Sequence, residues 1–311
     1  MNLTSTHKKV SVVMCSRNGA SYLNKQLESL EAQTYPHLEF ICSDNESEDG
    51  TADILKAWCS QKPNRRFVSH GEKGLNRNFF HALEFATGEL VIFCDQDDVW
   101  FPEKIEKLVS FMMEHEDASM VYGLSKPFRG EIPEDAQIKK IERLEGTDIR
   151  KTMLTSFTLG HNMLVKKSVL DRMPVPATET VAYDWWITVC AMCIGPIYCL
   201  PEVLTYWRQH QNNTTTKLNA GLYFESRLTY LKTFHNIPLI SNGNKKWIHD
   251  AVLAFETLKE KRFSFALFRF IYNNRSLLFF FKKKNKNAIS FRISSIKWAL
   301  RMSKRNYTLN Q

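Results

Sequence analysis

Asp95, Asp97 and Asp98 crowd three carboxylates into four positions, directly after the apolar run Leu90-Val91-Ile92-Phe93-Cys94. A run without polar alternation is expected of a strand covered on both faces. Carboxylates this close repel one another unless a cation sits among them. The cluster is therefore either an acidic strand-to-helix turn, favoured by the helix dipole, or a set of hard oxygen ligands for Mg2+ or Mn2+. A further carboxylate, Asp184, precedes Trp185-Trp186, whose rings would exclude water and raise its basicity. That suits a general base; an acidic first helical turn beside two core tryptophans is the rival reading.

The elements that must position these groups alternate in period. Val10–Cys15 reads as a strand ending at Ser16-Arg17-Asn18-Gly19, and Tyr22, Leu23, Leu27 and Leu30 then recur at helical spacing. Leu38–Ser43 is a second strand, ending at Asp44, and "SEDGTADILKAWC" holds a turn and a helix. A short strand at Phe67–Ser69 and a helix near Arg77–Ala86 lead into the strand before the acidic cluster. Such alternation implies a parallel, doubly wound sheet, which binds ligands beyond the carboxyl ends of its strands. Ser16, Asp44 and Asp95 to Asp98 all fall at those ends. Asp44 has a competing role as an Asx-turn before Ser47 and Gly50. Pro102 opens a helix with Ile105, Leu108, Val109 and Met112 inward. Ser119–Tyr122 and Thr158–Val165 are read as strands, 125–147 as a mobile loop and Asp184–Cys193 as a helix. Strands follow at Pro196–Leu200 and Val203–Arg208, and the pattern is helical from about 217.

With these pieces in order, the chain resembles the family 2 glycosyltransferases of the GT-A fold, in particular bacterial rhamnosyltransferase-like members. The likeness rests on "SVVMCSRNGASYLNKQLESLEAQTYPHLEFICSDNESEDGT" at 11–51, "GLNRNF" at 74–79, "FCDQDDVWFPEKI" at 93–105, "YDWW" at 183–186 and "YWRQHQNNTT" at 206–215. It implies an α/β fold with a GT-A type doubly wound mixed sheet, whose nucleotide-binding half is Rossmann-like, and a helical C-terminal extension. The expected division is a catalytic domain over 1–216, with a donor half to about 100, and a helical region over 217–311. By the same resemblance Asp97 is a metal ligand, Asp95 a ligand or ribose contact, and Asp98 lies behind them or toward the sugar. Asp44 would accept the imide N–H of uracil or thymine, with Ser16 and Asn18 supporting the ribose or base. Arg77, Arg208 and Gln209 would face the donor diphosphate, His210 would add a metal ligand, and Gly160-His161-Asn162 would line the acceptor side. Asp184 becomes the catalytic base of an inverting transfer. Relatives often carry His before this Asp; here it is Tyr183.

Composition narrows the setting. At 311 residues with 43% hydrophobic and 24% charged residues, the chain has an ordinary globular make-up. Its seven cysteines are an odd set, several inside apolar runs, which favours buried thiols in a reducing compartment over disulfides. No signal peptide or membrane-spanning run is visible, so a cytoplasmic location, peripheral on the inner face of the cell membrane, is expected. The net charge of +9 is unevenly placed. Residues 261–311 hold 13 Lys or Arg, 11 aromatics and no acid, while the other 260 residues hold 29 basic against 33 acidic residues. Two amphipathic stripes are expected there: Phe263, Leu267, Phe270, Ile271, Leu277, Leu278 and Phe281, then Ile289, Ile293, Ile296 and Leu300. They would rest on an anionic membrane surface or pack on the catalytic domain. No nucleic-acid motif accompanies the charge.

The function expected is a metal-dependent, inverting glycosyltransferase that uses a nucleotide-sugar donor, dTDP-rhamnose favoured over a UDP-hexose. Its acceptor would be a lipid-linked or growing bacterial surface polysaccharide. The alternative is a membrane- or polyanion-binding protein with a non-catalytic GT-A domain. A sugar nucleotidyltransferase would need a Gly- and basic-rich loop after the first strand, which Ser16-Arg17-Asn18-Gly19 does not supply.

Overall fold

A computed structural model describes residues 8–69, 71–137, 143–210, 223–259, 261–283 and 288–304. The described chain divides into two compact units, one taking in residues to 141, 145–147 and 158–209, the other 142–144, 148–157 and 210 onward.

The first unit begins with the expected alternation: β1 (Val10–Ser16), α1 (Ala20–Glu31), β2 (Leu38–Asp44), α2 (Thr51–Ser60), β3 (Arg65–Ser69), α3 (Leu75–Leu83) and β4 (Leu90–Cys94). These four strands are parallel, in the order β3-β2-β1-β4. One face of the sheet, with Val12, Met14, Cys42, Ile92 and Cys94, is sealed by Leu23 and Leu27 of α1 and Leu55 and Trp58 of α2. On the other face Phe93 meets Phe79 of α3, ring centroids 5.9 Å apart. Cover on both faces is why β4, Leu90-Val91-Ile92-Phe93-Cys94, is apolar at every position. Gly50 starts α2 at φ +89°, a left-handed turn that a side chain would strain.

The sheet then changes character. β5 (Val99–Trp100) is followed by α4 (Lys104–Glu114), β6 (Met120–Phe128), β7 (Met163–Lys166), α5 (Lys167–Leu170), α6 (Tyr183–Ile194) and β8 (Ile197–Arg208). The eight-stranded order is β3-β2-β1-β4-β7-β6-β8-β5, with β7 antiparallel to β4 and β6, and β5 antiparallel to β8. The expected mixed, doubly wound sheet is thus present, with corrections of detail. Residues 125–128, expected in a mobile loop, continue β6; the same expected loop runs through 138–142, which lie outside the described residues. The two strands expected over 196–208 are one strand. Its register against β6 slips between Tyr122 and Leu124 and again before Ser125, and Pro201-Glu202 fall in that slipped stretch.

The second unit is helical. Its described elements include a 3-10 turn at Ile149–Lys151, α7 (Tyr223–His235), α8 (Asn242–Glu256), α9 (Phe265–Asn273), α10 (Arg275–Leu278), α11 (Phe280–Lys283) and α12 (Ala288–Met302). Ser241 caps α8 and Ser264 caps α9, each accepting a main-chain N–H of the first turn. The first expected stripe is not one continuous surface: it breaks into three short helices, and Leu267, Ile271 and Leu278 are buried. Among the described residues no helix is long and apolar enough to cross a membrane.

Candidate active site

The carboxyl ends of β1, β2 and β4 are laced together by side chains. Gln96, the central residue of Asp95-Gln96-Asp97, accepts the Arg17 N–H at 2.7 Å and donates to the Arg17 carbonyl at 3.0 Å. Asn18, at φ +48°, accepts the Glu48 N–H and donates its own main-chain N–H to Ser47. Asp44 is buried. Its Oδ1 accepts from Ser16 Oγ at 3.2 Å and Ser47 Oγ at 2.6 Å, and its Oδ2 from Ser47 N–H at 2.9 Å. The Asx-turn is therefore made, and Oδ2 keeps acceptor capacity for one more donor.

The acidic cluster is graded in depth. Asp95 keeps 37% of its side chain exposed, Asp97 is 9% exposed, and Asp98 is fully buried. Asp98 Oδ1 accepts the Arg208 N–H at 3.0 Å, and Arg208 Nε donates to the Asp97 carbonyl at 2.9 Å. The Arg208 guanidinium also lies over Tyr22 and Phe128. Gln209 donates its main-chain N–H to the Phe128 carbonyl. The pair at the end of β8 thereby binds the cluster's backbone to β6.

Behind the carboxylates lies a buried polar chain that the sequence did not disclose. Lys104 of α4 has no exposure. Its ammonium donates to the His161 carbonyl and to Thr205 Oγ1, both at 2.7 Å, and sits 3.5 Å from the centroid of the Trp100 ring. Thr205 donates to Asn162 Oδ1 at 2.9 Å, and Asn162 Nδ2 donates to Ser125 Oγ. Ser125 Oγ also lies 2.6 Å from His161 Nε2. Nδ1 lies 3.2 Å from Asp95 Oδ2 and 3.1 Å from Asp98 Oδ2. Burial pushes the Asp98 carboxyl up, His161 opposes this, and the Asp97 and Asp95 charges add to it. Burial disfavours the imidazolium of His161, but the Asp98 and Asp95 carboxylates outweigh it and raise the group. Burial also holds the Lys104 ammonium well below its ordinary value.

Asp184 opens α6, half-buried. Its Oδ1 accepts the Trp185 N–H at 2.7 Å, and the Gly160 N–H also reaches the carboxylate. Burial raises it to about 6, against those two hydrogen bonds and with the help of the Asp95 charge. Tyr183 stacks on Phe79 at 3.8 Å, and its hydroxyl makes a long contact, 3.5 Å, to Asp95 Oδ1. The residue that departs from the expected His thus ties the helix bearing Asp184 to the acidic cluster. A Cβ at Gly160 would overlap that hydroxyl, so only glycine fits there.

The structure therefore places Ser16 and Asp44 at the ends of β1 and β2 with Asn18 just beyond, Asp95, Asp97 and Asp98 directly after β4, Arg208 at the end of β8 and Asp184 in the first turn of α6. Arg77 is half exposed and ion-paired with Glu72 at 2.7 Å, and its main-chain N–H caps α3 on Glu179. His210 begins the second unit and is half-buried.

Two carboxylates and an imidazole, from Asp95, Asp98 and His161, place ligand atoms within 4.8 Å of one another, and Asp98 Oδ2 is buried without a hydrogen bond. Hard oxygens with one imidazole nitrogen fit Mg2+ or Mn2+.

Comparison with known proteins agrees. An uncharacterized glycosyltransferase of Nostoc sp. is 26% identical over 213 residues, 66% of each chain. A putative teichuronic acid biosynthesis glycosyltransferase of Bacillus subtilis, TuaG, is 35% identical over 156 residues, 49% of this chain and 61% of that protein. The chain thus spans less than two thirds of the length of these relatives. Among solved structures, S. aureus TarS in complex with UDP-GlcNAc superposes with a TM-score of 0.61 at 18% identity, covering 94% of this chain and 90% of that one. At that identity the likeness speaks for the GT-A fold alone. The sequence profile described as glycosyl transferase family 2 matches residues 11–173, more than half the chain. With the motifs, the sheet order and the strand-end carboxylates in agreement, the chain belongs to glycosyl transferase family 2.

Proposed function

We propose that this protein is an inverting, divalent-cation-dependent glycosyltransferase that builds a bacterial cell-surface polysaccharide from a uridine- or thymidine-diphosphate sugar. The observation that carries this reading is the placing of a raised, half-buried carboxylate, Asp184, beside an acidic cluster that ends the central strand. Asp184 would take the proton of an acceptor hydroxyl as its oxygen bonds to the anomeric carbon. The bond from that carbon to the donor diphosphate breaks, and the nucleoside diphosphate leaves.

A bound Mg2+ or Mn2+ supplies positive charge to the leaving diphosphate. We assign its protein ligands to Asp97 and Asp95 rather than to the inner set. The reason is access: Asp98 and His161 have almost no exposure, whereas a cation shared with a substrate must meet bulk-facing oxygens. Asp98, His161 and Lys104 then position Asp95 and Asp97. Arg208 and Gln209 fasten the same backbone, Arg208 would offset phosphate charge, and Arg77 would reach the donor by leaving Glu72.

The surviving acceptor capacity of Asp44 Oδ2 supports a base with an imide N–H. The names of relatives, TuaG among them and a poly(ribitol-phosphate) beta-glucosyltransferase of Bacillus spizizenii 30% identical over 191 residues, support a surface-polymer acceptor. UDP-GlcNAc in TarS supports a UDP-hexose as a serious rival to dTDP-rhamnose. A lipid-linked acceptor at the inner face of the cell membrane completes the proposal.

Release of nucleoside diphosphate from candidate donors, with Mn2+ and with EDTA, tests the reading. Metal-dependent release that is lost in Asp97→Asn and Asp184→Asn, with folding intact, is expected. No metal-dependent turnover with any uridine or thymidine donor would leave the non-catalytic binding-protein alternative standing.

A further inference from the structure

Helix α12 has two apolar faces, and among the described residues packing accounts for only one. Phe291, Ser295, Ala299 and Met302 are buried within the second unit, against α9 among others. Ile289, Ile293, Ile296 and Leu300 are 71%, 52%, 39% and 40% exposed. At about 100° per residue these four fall within an arc of about 60°, on the side away from the buried face. Arg292 borders the arc on one side, and Lys297 and Arg301 on the other. Trp298 turns elsewhere, to Phe279, with ring centroids 6.0 Å apart.

Two exposed aromatics lie near one end of the helix. The Ser264 N–H donates to the Ser303 carbonyl, and Phe263 pairs with Lys304, which brings the start of α9 beside the end of α12. Phe263 and Phe265 there are 37% and 70% exposed. Large side chains in water, lined by cations in a stretch of chain that holds no acid, describe a helix built for an interface between apolar and anionic phases.

We propose that this face of α12, with Phe263 and Phe265, docks the protein on an anionic lipid bilayer. The helix would lie flat, with its isoleucines at the acyl boundary and Arg292, Lys297 and Arg301 among the headgroups. Charge complementarity selects this occupant. A second copy of the chain would bring like-charged borders together, and a nucleic acid would have no use for the aliphatic stripe. The surface stands on the geometry of the second unit; only its purpose, holding the enzyme near a lipid-borne acceptor, rests on the function proposed above.

The test is co-sedimentation of the full chain with vesicles of phosphatidylcholine alone or mixed with phosphatidylglycerol. Wild-type protein is expected to bind the mixed vesicles, less so at high salt, and not the neutral ones. The double variant Ile293→Ser/Ile296→Ser, which keeps every charge and alters only exposed positions, is expected to partition about tenfold more weakly with unchanged melting. Arg292→Gln/Lys297→Gln is expected to lose the preference for anionic lipid. The proposal is overturned if wild type stays in solution, if the serine variant binds as wild type does, or if the stripe instead mediates a dimer that the serine variant dissociates. Donor turnover, measured separately with a soluble acceptor, is expected to be unaffected by either variant, so failure of the enzyme reading and failure of the membrane surface are told apart.

Discussion

Asp184, the proposed base, carries its charge at a cost in stability. Its carboxyl is raised from the ordinary 3.8 to about 6 in the folded protein. Its contribution to stability is therefore fully present below the unfolded value and is lost as the pH rises through about 6, where the folded state must carry a poorly solvated charge. At neutral pH that penalty is at most about 3 kcal/mol. Asp184→Asn should accordingly abolish transfer yet melt higher than wild type at pH 7.5, with the gain shrinking toward pH 4. For the wild type, transfer should fall as the pH drops through about 6, because the base must be ionised. Thermal melts and a pH–rate profile check both. Equal melting of the two proteins at pH 7.5 would contradict the assigned burial, and a rate independent of pH between 5 and 8 would contradict the role.

At the scale of elements, the short turn Gly160–Asn162 sets several groups at once. Its first residue donates to Asp184 and leaves room for Tyr183, while its second faces Asp95 and Asp98 and its third holds Ser125. Ser125 is aimed there by the slipped register of β6 against β8, the kind of irregularity that re-aims a side chain near a functional site. Gly160→Ala must push aside a ring stacked on Phe79, and overpacking of this kind costs about 1–3 kcal/mol. The expected result is a lower melting temperature together with loss of transfer. Pairing the variant with Tyr183→Phe, which removes the overlapping oxygen, should restore part of the stability. If Gly160→Ala melts like wild type, the close approach is not a constraint.

For the whole molecule, two units of opposite electrical character share one chain. The acidic balance lies with the residues before 261 and the basic excess after it, so metal and nucleotide are expected to act on the first unit and lipid on the second. A nucleotide that binds only the folded state stabilises it by about 2.7 kcal/mol at a hundredfold excess over its dissociation constant. UDP or dTDP should therefore raise the melting temperature in Mn2+ and much less in EDTA. CDP, which has no imide N–H to give Asp44, should do less than either. Equal shifts with CDP would remove Asp44 from base recognition, and shifts that ignore EDTA would remove the cation.

Local pattern alone was enough for β1, β2, β4 and the helices between them, because strands covered on both faces are mostly apolar and their polar ends stand out against that background. Those ends already located Ser16, Asp44 and the acidic cluster. The two-residue β5 escaped because so short a strand has no period, and β8 was read as two because Pro201 interrupts it. Lys104, Ser125 and Thr205 escaped for a deeper reason: polar residues in a sequence read as surface. Only the antiparallel return of β7, the slipped register of β6 and the packing of α4 bury them as one hydrogen-bonded chain behind the carboxylates. In the same way both stripes after residue 261 had the spacing of an interfacial helix. The tertiary structure decided between them, since an apolar face becomes core or contact surface according to whether another element covers it, and nothing in the spacing of residues states which.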